Sequence, residues 1–158
     1  MTTPEHIAKH LRELHVGGNT TGANLRDAVS DVSWEQATTQ IGSFNTIALL
    51  VFHVNYYVSA VLKVVQGGPL DAHDRLSFDA PPINGEKDWQ ALVAKCLGDA
   101  ETLAALLEQM PEERLWEGFV KEKYGTYYRN LHGVIEHTYY HLGQINLLKK
   151  LLLDQLSE

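Results

Sequence analysis

Apolar positions recur along most of the chain at three- and four-residue intervals, and no stretch of strict alternation competes with them. Thr3 followed by Pro4 is an N-cap and first-turn signal, and Ile7, Leu11 and Leu14 form the first apolar stripe. Gly17-Gly18 interrupts it. Leu25, Val29 and Val32 carry the same spacing in a second piece, and Ser33 with Gln36 makes a capping box that opens a short turn around Trp34 and Ala37. Ser43 is expected to cap the next helix, whose stripe runs through Ile47, Leu50, Val51, Val54, Val58, Val61, Leu62 and Val65 to the breaker Gly67-Gly68-Pro69. Residues 69–85 read as a long connection ending in Pro81-Pro82. A further helix starts near Gly85, carries Trp89, Leu92, Val93, Cys96, Ala100, Leu103, Ala104 and Leu107, and ends at Met110 before Pro111. A second loop holds Trp116, Phe119 and Gly125. The last helix bears Leu131, Val134, Ile135, Thr138, Leu142, Ile145, Leu148 and Leu152.

Four main amphipathic helices, with no internal repeat and no strand, bury their stripes most simply on one another. The predicted fold is all-α, a four-helix bundle with long interhelical connections. At 158 residues, with 44% apolar and 21% charged side chains, the chain is expected to form a single domain over residues 1–158, and a disordered or fibrous protein is excluded.

Thirteen basic and twenty acidic side chains give a net charge of −7, and no basic patch offsets it, so neither nucleic acid nor an anionic membrane surface is an expected partner. The N-terminus lacks the apolar run of a signal peptide, and the single cysteine, Cys96, cannot form an internal disulfide; a cytoplasmic location is expected. No Asp, Glu, Lys or Arg occurs between Gln40 and Lys63, which is long enough to span a bilayer. His53 and Asn55 at its centre would be costly in lipid and argue for a buried helix of the bundle.

Of the eight histidines, His6, His10, His15 and His73 are expected at the solvated surface, and His132 at the surface or behind a site. His137 and His141 stand one helical turn apart. With Leu131 at zero on a helical wheel the apolar stripe centres near 330°, while His137 and His141 fall at about 240° and about 280°, flanking the core. His53 falls at about 240° from Ile47, the corresponding flank of its own helix. Three histidines on bundle-facing flanks could converge on a metal ion and leave other coordination positions open, the pattern of a catalytic site. Imidazole suits zinc, nickel, iron and copper alike. On spacing alone, the alternative of buried neutral histidines, each satisfied by one hydrogen bond, also stands. The zinc-peptidase motif is absent, since Thr138 occupies the position after His137 where its glutamate would be.

Tyr57 and Tyr140 are candidates for hydrogen bonding near such a site, and Gln144, one turn beyond His141, for orienting a ligand or substrate. The alternatives are packing for the tyrosines and an interhelical hydrogen bond for Gln144. Cys96 lies on an apolar stripe and reads as inert packing. Gly17, Gly18 and Gly22 make no phosphate loop.

Three stretches, NTTGANLRDAVSDVSWEQA, NTIALLVFHVNYYV and GVIEHTYYHLGQINLLKK, resemble the DinB-like (damage-inducible, YfiT-like) superfamily of bacterial four-helix-bundle metalloproteins. The resemblance covers nearly the whole chain. It implies a metal triad on His53, His137 and His141, a divalent ion (zinc, nickel, iron or manganese) as cofactor, a small-molecule substrate and a homodimer. It also implies a thiol S-transferase using bacillithiol, mycothiol or glutathione as co-substrate, or an isomerase acting on a compound such as maleylpyruvate. A metal-dependent hydrolase that activates water is the nearest variant, and a non-catalytic metal- or ligand-binding bundle is the rival from another class.

Overall fold

The computed structural model describes residues 1–155. Its elements are α1 (Thr3–Val16), α2 (Leu25–Val29), α3 (Trp34–Thr38), α4 (Ile47–Val65), α5 (Glu86–Glu108) and α6 (Tyr127–Gln155), with short 3₁₀ turns at Asp74–Phe78, Glu112–Trp116 and Glu122–Tyr124. Among the described residues there is no strand; one isolated bridge, Gly118 to Thr126, is the only β pairing.

The four long helices form the bundle. Helix α5 packs on both α1 and α4, and α6 packs on the same two from the other side, closing a ring around one core. The apolar stripes account for this closure. Val51, Val54 and Val58 of α4, Leu103 and Leu107 of α5, Leu142 and Ile145 of α6, and Leu11 and Leu14 of α1 are all buried. Fully burying each such side chain contributes about 1.5–3 kcal/mol. Helix α2 closes one end against α1 and α6, and α3 lies on α4 and α5. The indole of the buried Trp89 donates to the Val32 carbonyl at 2.8 Å, fixing the short N-terminal pieces to α5. Across the outside, Arg12 of α1 bridges Glu101 and Glu108 of α5 at 2.8 and 2.7 Å.

Helix α4 is long and apolar enough to cross a membrane, with a mean hydropathy of 1.6, but 61% of that window is buried inside the bundle. Its lack of charge reflects neighbours on several sides.

Three local expectations are corrected. The N-cap of α1 is Thr2, not Thr3. Thr2 and Glu5 form a full capping box, so Thr3 and Pro4 fall inside the first turn. Helix α4 is capped by Thr46, whose hydroxyl accepts from the Leu49 amide at 3.2 Å, while Ser43 is exposed in the preceding loop. A cap must sit immediately before the first helical residue to reach the amide three positions on, and only Thr46 does. His15 is buried rather than solvated, with 1% of its surface exposed. It lies four residues beyond Leu11 and eight beyond Ile7, and so shares their stripe.

Candidate metal centre

Two bundle helices and one loop supply the site. His53 projects from the middle of α4, and His137 and His141 from successive turns of α6, which packs against α4. The ring nitrogens available as ligands lie within 4.8 Å of one another. His137 Nε2 is the hub, 3.0 Å from His53 Nε2 and 3.0 Å from His141 Nε2. His53 and His141 are buried and His137 is half-buried.

The outer nitrogens fix the tautomers. His53 Nδ1 lies 3.2 Å from the Ser77 carbonyl and 3.0 Å from the Ser77 hydroxyl oxygen, and a carbonyl can only accept. His141 Nδ1 lies 2.7 Å from Gln144 Oε1, again an acceptor. Both rings therefore carry their proton on Nδ1 and present a lone pair at Nε2. His137 Nε2 can donate to one of them at most, which leaves at least one pair of lone pairs facing each other at 3.0 Å. Burial and the neighbouring His141 and His53 push the His137 pKa down to about 4, and burial with the charge of His141 lowers that of His53. Both rings are neutral at pH 7. Three imidazoles whose ring nitrogens aim at one point, with lone pairs facing each other, form an unfavourable array by themselves and a good donor set for a divalent cation, so these residues fit such an ion.

The surroundings hold the rings in place. Phe78 stacks on His53 with centroids 4.1 Å apart, and Tyr57 meets His53 and His137 edge-on at 5.3 and 4.9 Å. The Tyr57 hydroxyl donates to Asp74 at 2.8 Å; burial and this carboxylate raise its pKa, so the phenol keeps its proton. Ser77, fully buried, donates in turn to the Asp74 carbonyl at 2.6 Å. Tyr140 is largely exposed, its ring 4.8 Å from that of His141. Gln144 acts on His141 rather than across to another helix. His137 Nδ1 is buried and has no hydrogen-bond partner among the described residues.

Ser77, Asp74 and Phe78 belong to a turn within what reads in sequence as a plain connection. Ser77 is a small polar residue in a proline-bounded loop, and only the docking of that loop on α4 makes it a histidine partner. The other histidines stay out of the site. His6, His10 and His73 are exposed, and the half-buried His132 lies tilted against Tyr128 with ring centroids 4.4 Å apart. Cys96 is fully buried, and burial pushes its thiol up to about 12, which removes it as a nucleophile near neutral pH.

A cleft of about 720 Å³ opens beside the cluster. Its lining includes His137, Tyr57 and Tyr140, apolar Ala60, Val61 and Val134, and the charged residues Asp74, Lys123, Arg129 and Glu136.

An all-α bundle with a three-histidine centre between two of its helices defines a class of bundle proteins with a metal-binding donor set. The family model for the DinB superfamily matches residues 19–145, and the chain belongs to that superfamily. The match spans α2 through most of α6 and includes all three clustered histidines. No curated protein and no solved structure shows significant similarity to the chain.

Proposed function

We propose that the protein is a metal-dependent transferase that moves a low-molecular-weight thiol onto an electrophilic small molecule, with His53, His137 and His141 as the metal ligands. The observation that carries this reading is the convergence of three Nε2 atoms beside a cleft roomy enough for two small substrates. A divalent ion bound there would act as a Lewis acid that lowers the pKa of a thiol at neutral pH.

The chain's own residues have defined parts in this proposal. Ser77 and Gln144 hold the protons on Nδ1 of His53 and His141, which keeps Nε2 of each turned to the common point. Tyr57, protonated and tied to Asp74, forms a fixed wall beside His137. Val61, Val134 and Ala60 give the cleft an apolar wall near His137. Cys96 takes no part, and no other cysteine is present to act as a protein nucleophile.

The test is a transfer assay on protein loaded in turn with zinc, nickel, iron and manganese, using glutathione, mycothiol and bacillithiol with a generic aryl halide. Metal-dependent conjugate formation is expected, with metal content and activity lost together in His141→Ala. Ester or amide hydrolysis without thiol transfer would favour the water-activating hydrolase, and inactivity in both assays the binding protein. Wild-type activity in His141→Ala would remove the chemistry from the histidines altogether.

A further inference from the structure

The charges of the cleft are divided unequally. Asp74 accepts from the Tyr57 hydroxyl at 2.8 Å, and Glu136 faces Arg129 in an exposed pair at 3.4 Å. Lys123 has no carboxylate within 4.0 Å among the described residues; its ammonium lies over the Tyr124 ring, 4.7 Å from the centroid. On a chain of net charge −7, a cation without a carboxylate partner in the lining of the main cleft is an exception to the general field.

Its position is built. The Asn130 side-chain amide donates to the Tyr124 and Thr126 carbonyls at 2.8 Å each, tying the turn that carries Lys123 to the first turn of α6. Asn130 precedes His137 by seven residues on the same helix, about 10 Å of rise at 1.5 Å per residue, and both line the cleft together with Lys123. Glycine at position 133 lies between them, and a Cβ built there meets nothing within 4 Å, so the helix surface along this path is open.

We propose that the cleft takes an elongated thiol whose far end is a carboxylate, held by Lys123 with Arg129 turned from Glu136, while the sulfur lies at the histidines. This rests on the transferase reading for the identity of the near end, and on the cleft alone for the far end. A tripeptide thiol has the terminal carboxylate required. A neutral sugar thiol lacks the charge.

The probe is S-methylglutathione, which keeps the carboxylates and lacks a free thiol, compared by calorimetry with its diethyl ester, in which both carboxylates are masked, on metal-loaded protein. Wild type is expected to bind the acid tighter than the ester by roughly tenfold or more, as one charge-assisted contact warrants, and Lys123→Ala to lose that preference with an unchanged melting temperature. Equal binding of acid and ester, an undiminished preference in Lys123→Ala, or no binding of the acid at millimolar concentration overturns the proposal. Failure here and failure of the transferase reading are distinguishable. Turnover of N-acetylcysteamine as fast as glutathione would keep the transferase and sink the carboxylate site. A Lys123-dependent preference without transfer of any thiol would do the reverse.

Discussion

Gln144 Oε1 lies 2.7 Å from Nδ1 of His141, one turn earlier on the same helix, and this contact fixes which nitrogen of His141 faces His137. The i, i+3 spacing places the amide over the ring without help from any other helix. Gln144→Leu leaves Nδ1 without its acceptor and allows the wrong tautomer. A loss of metal affinity of about 10–100-fold is expected, read by competition with a chromophoric chelator. Gln144→Glu, which restores an acceptor, should recover most of it; equal affinity in all three proteins would show that the contact is incidental.

Ser77 should behave differently, because His53 Nδ1 has two acceptors on that residue. Ser77→Ala removes the hydroxyl at 3.0 Å but keeps the backbone carbonyl at 3.2 Å. The loss of metal affinity should stay below that of Gln144→Leu, within about tenfold, since the tautomer remains specified. A larger loss would mean that the hydroxyl alone orients the ring.

Gly133 separates stability from access. It sits inside α6, where glycine costs about 1 kcal/mol relative to alanine, and the space above it is open. Gly133→Ala should raise stability by about 0.5–1 kcal/mol in urea unfolding. Gly133→Leu should keep the fold while filling the cleft, raising KM or abolishing turnover. Unchanged kinetics in Gly133→Leu would place the substrate elsewhere.

His15 carries a pH dependence of folding. Its Nδ1–H donates to the Leu11 carbonyl at 2.8 Å, its Nε2 is buried without a partner, and burial lowers its pKa below the ordinary 6.5. The unfolded chain therefore binds the proton more readily than the folded one. The stability that neutral His15 contributes is fully present above about pH 6.5, and it is lost as pH falls from there through the lower folded value. His53 and His137 act in the same direction in metal-free protein, so the informative quantity is a difference between variants. His15→Leu, close in volume, should match wild type near neutrality within about 1.5 kcal/mol and lose less stability on acidification to about pH 5. Parallel losses in the two proteins would count against a buried neutral ring.

Much of this architecture is legible in the chain itself, for physical reasons that also mark where legibility ends. The stripes of α4, α5 and α6 are long and regular, and their period specifies both the helices and the core-flanking positions of His53, His137 and His141. The two caps are locally encoded as well, because Thr46 directly precedes the first residue of its helix and Glu5 stands three after Thr2. The burial of His15 follows from its four-residue spacing to Leu11, where place on the wheel outweighs polarity. Ser77, Asp74 and Lys123 are different. They lie on irregular segments whose docking depends on contacts distant in sequence, and no local period encodes which side chain of such a segment meets a histidine.

The central claim is that the three imidazoles form one metal site. Equilibrium titration of tag-free protein with zinc, read by chelator competition and checked by elemental analysis, tests it directly. Wild type should bind one ion per chain, and His137→Ala, which removes the nitrogen 3.0 Å from both others, should abolish high-affinity binding while the helical circular dichroism signal persists. Undiminished one-to-one binding in His137→Ala, or no binding by wild type, would contradict the account.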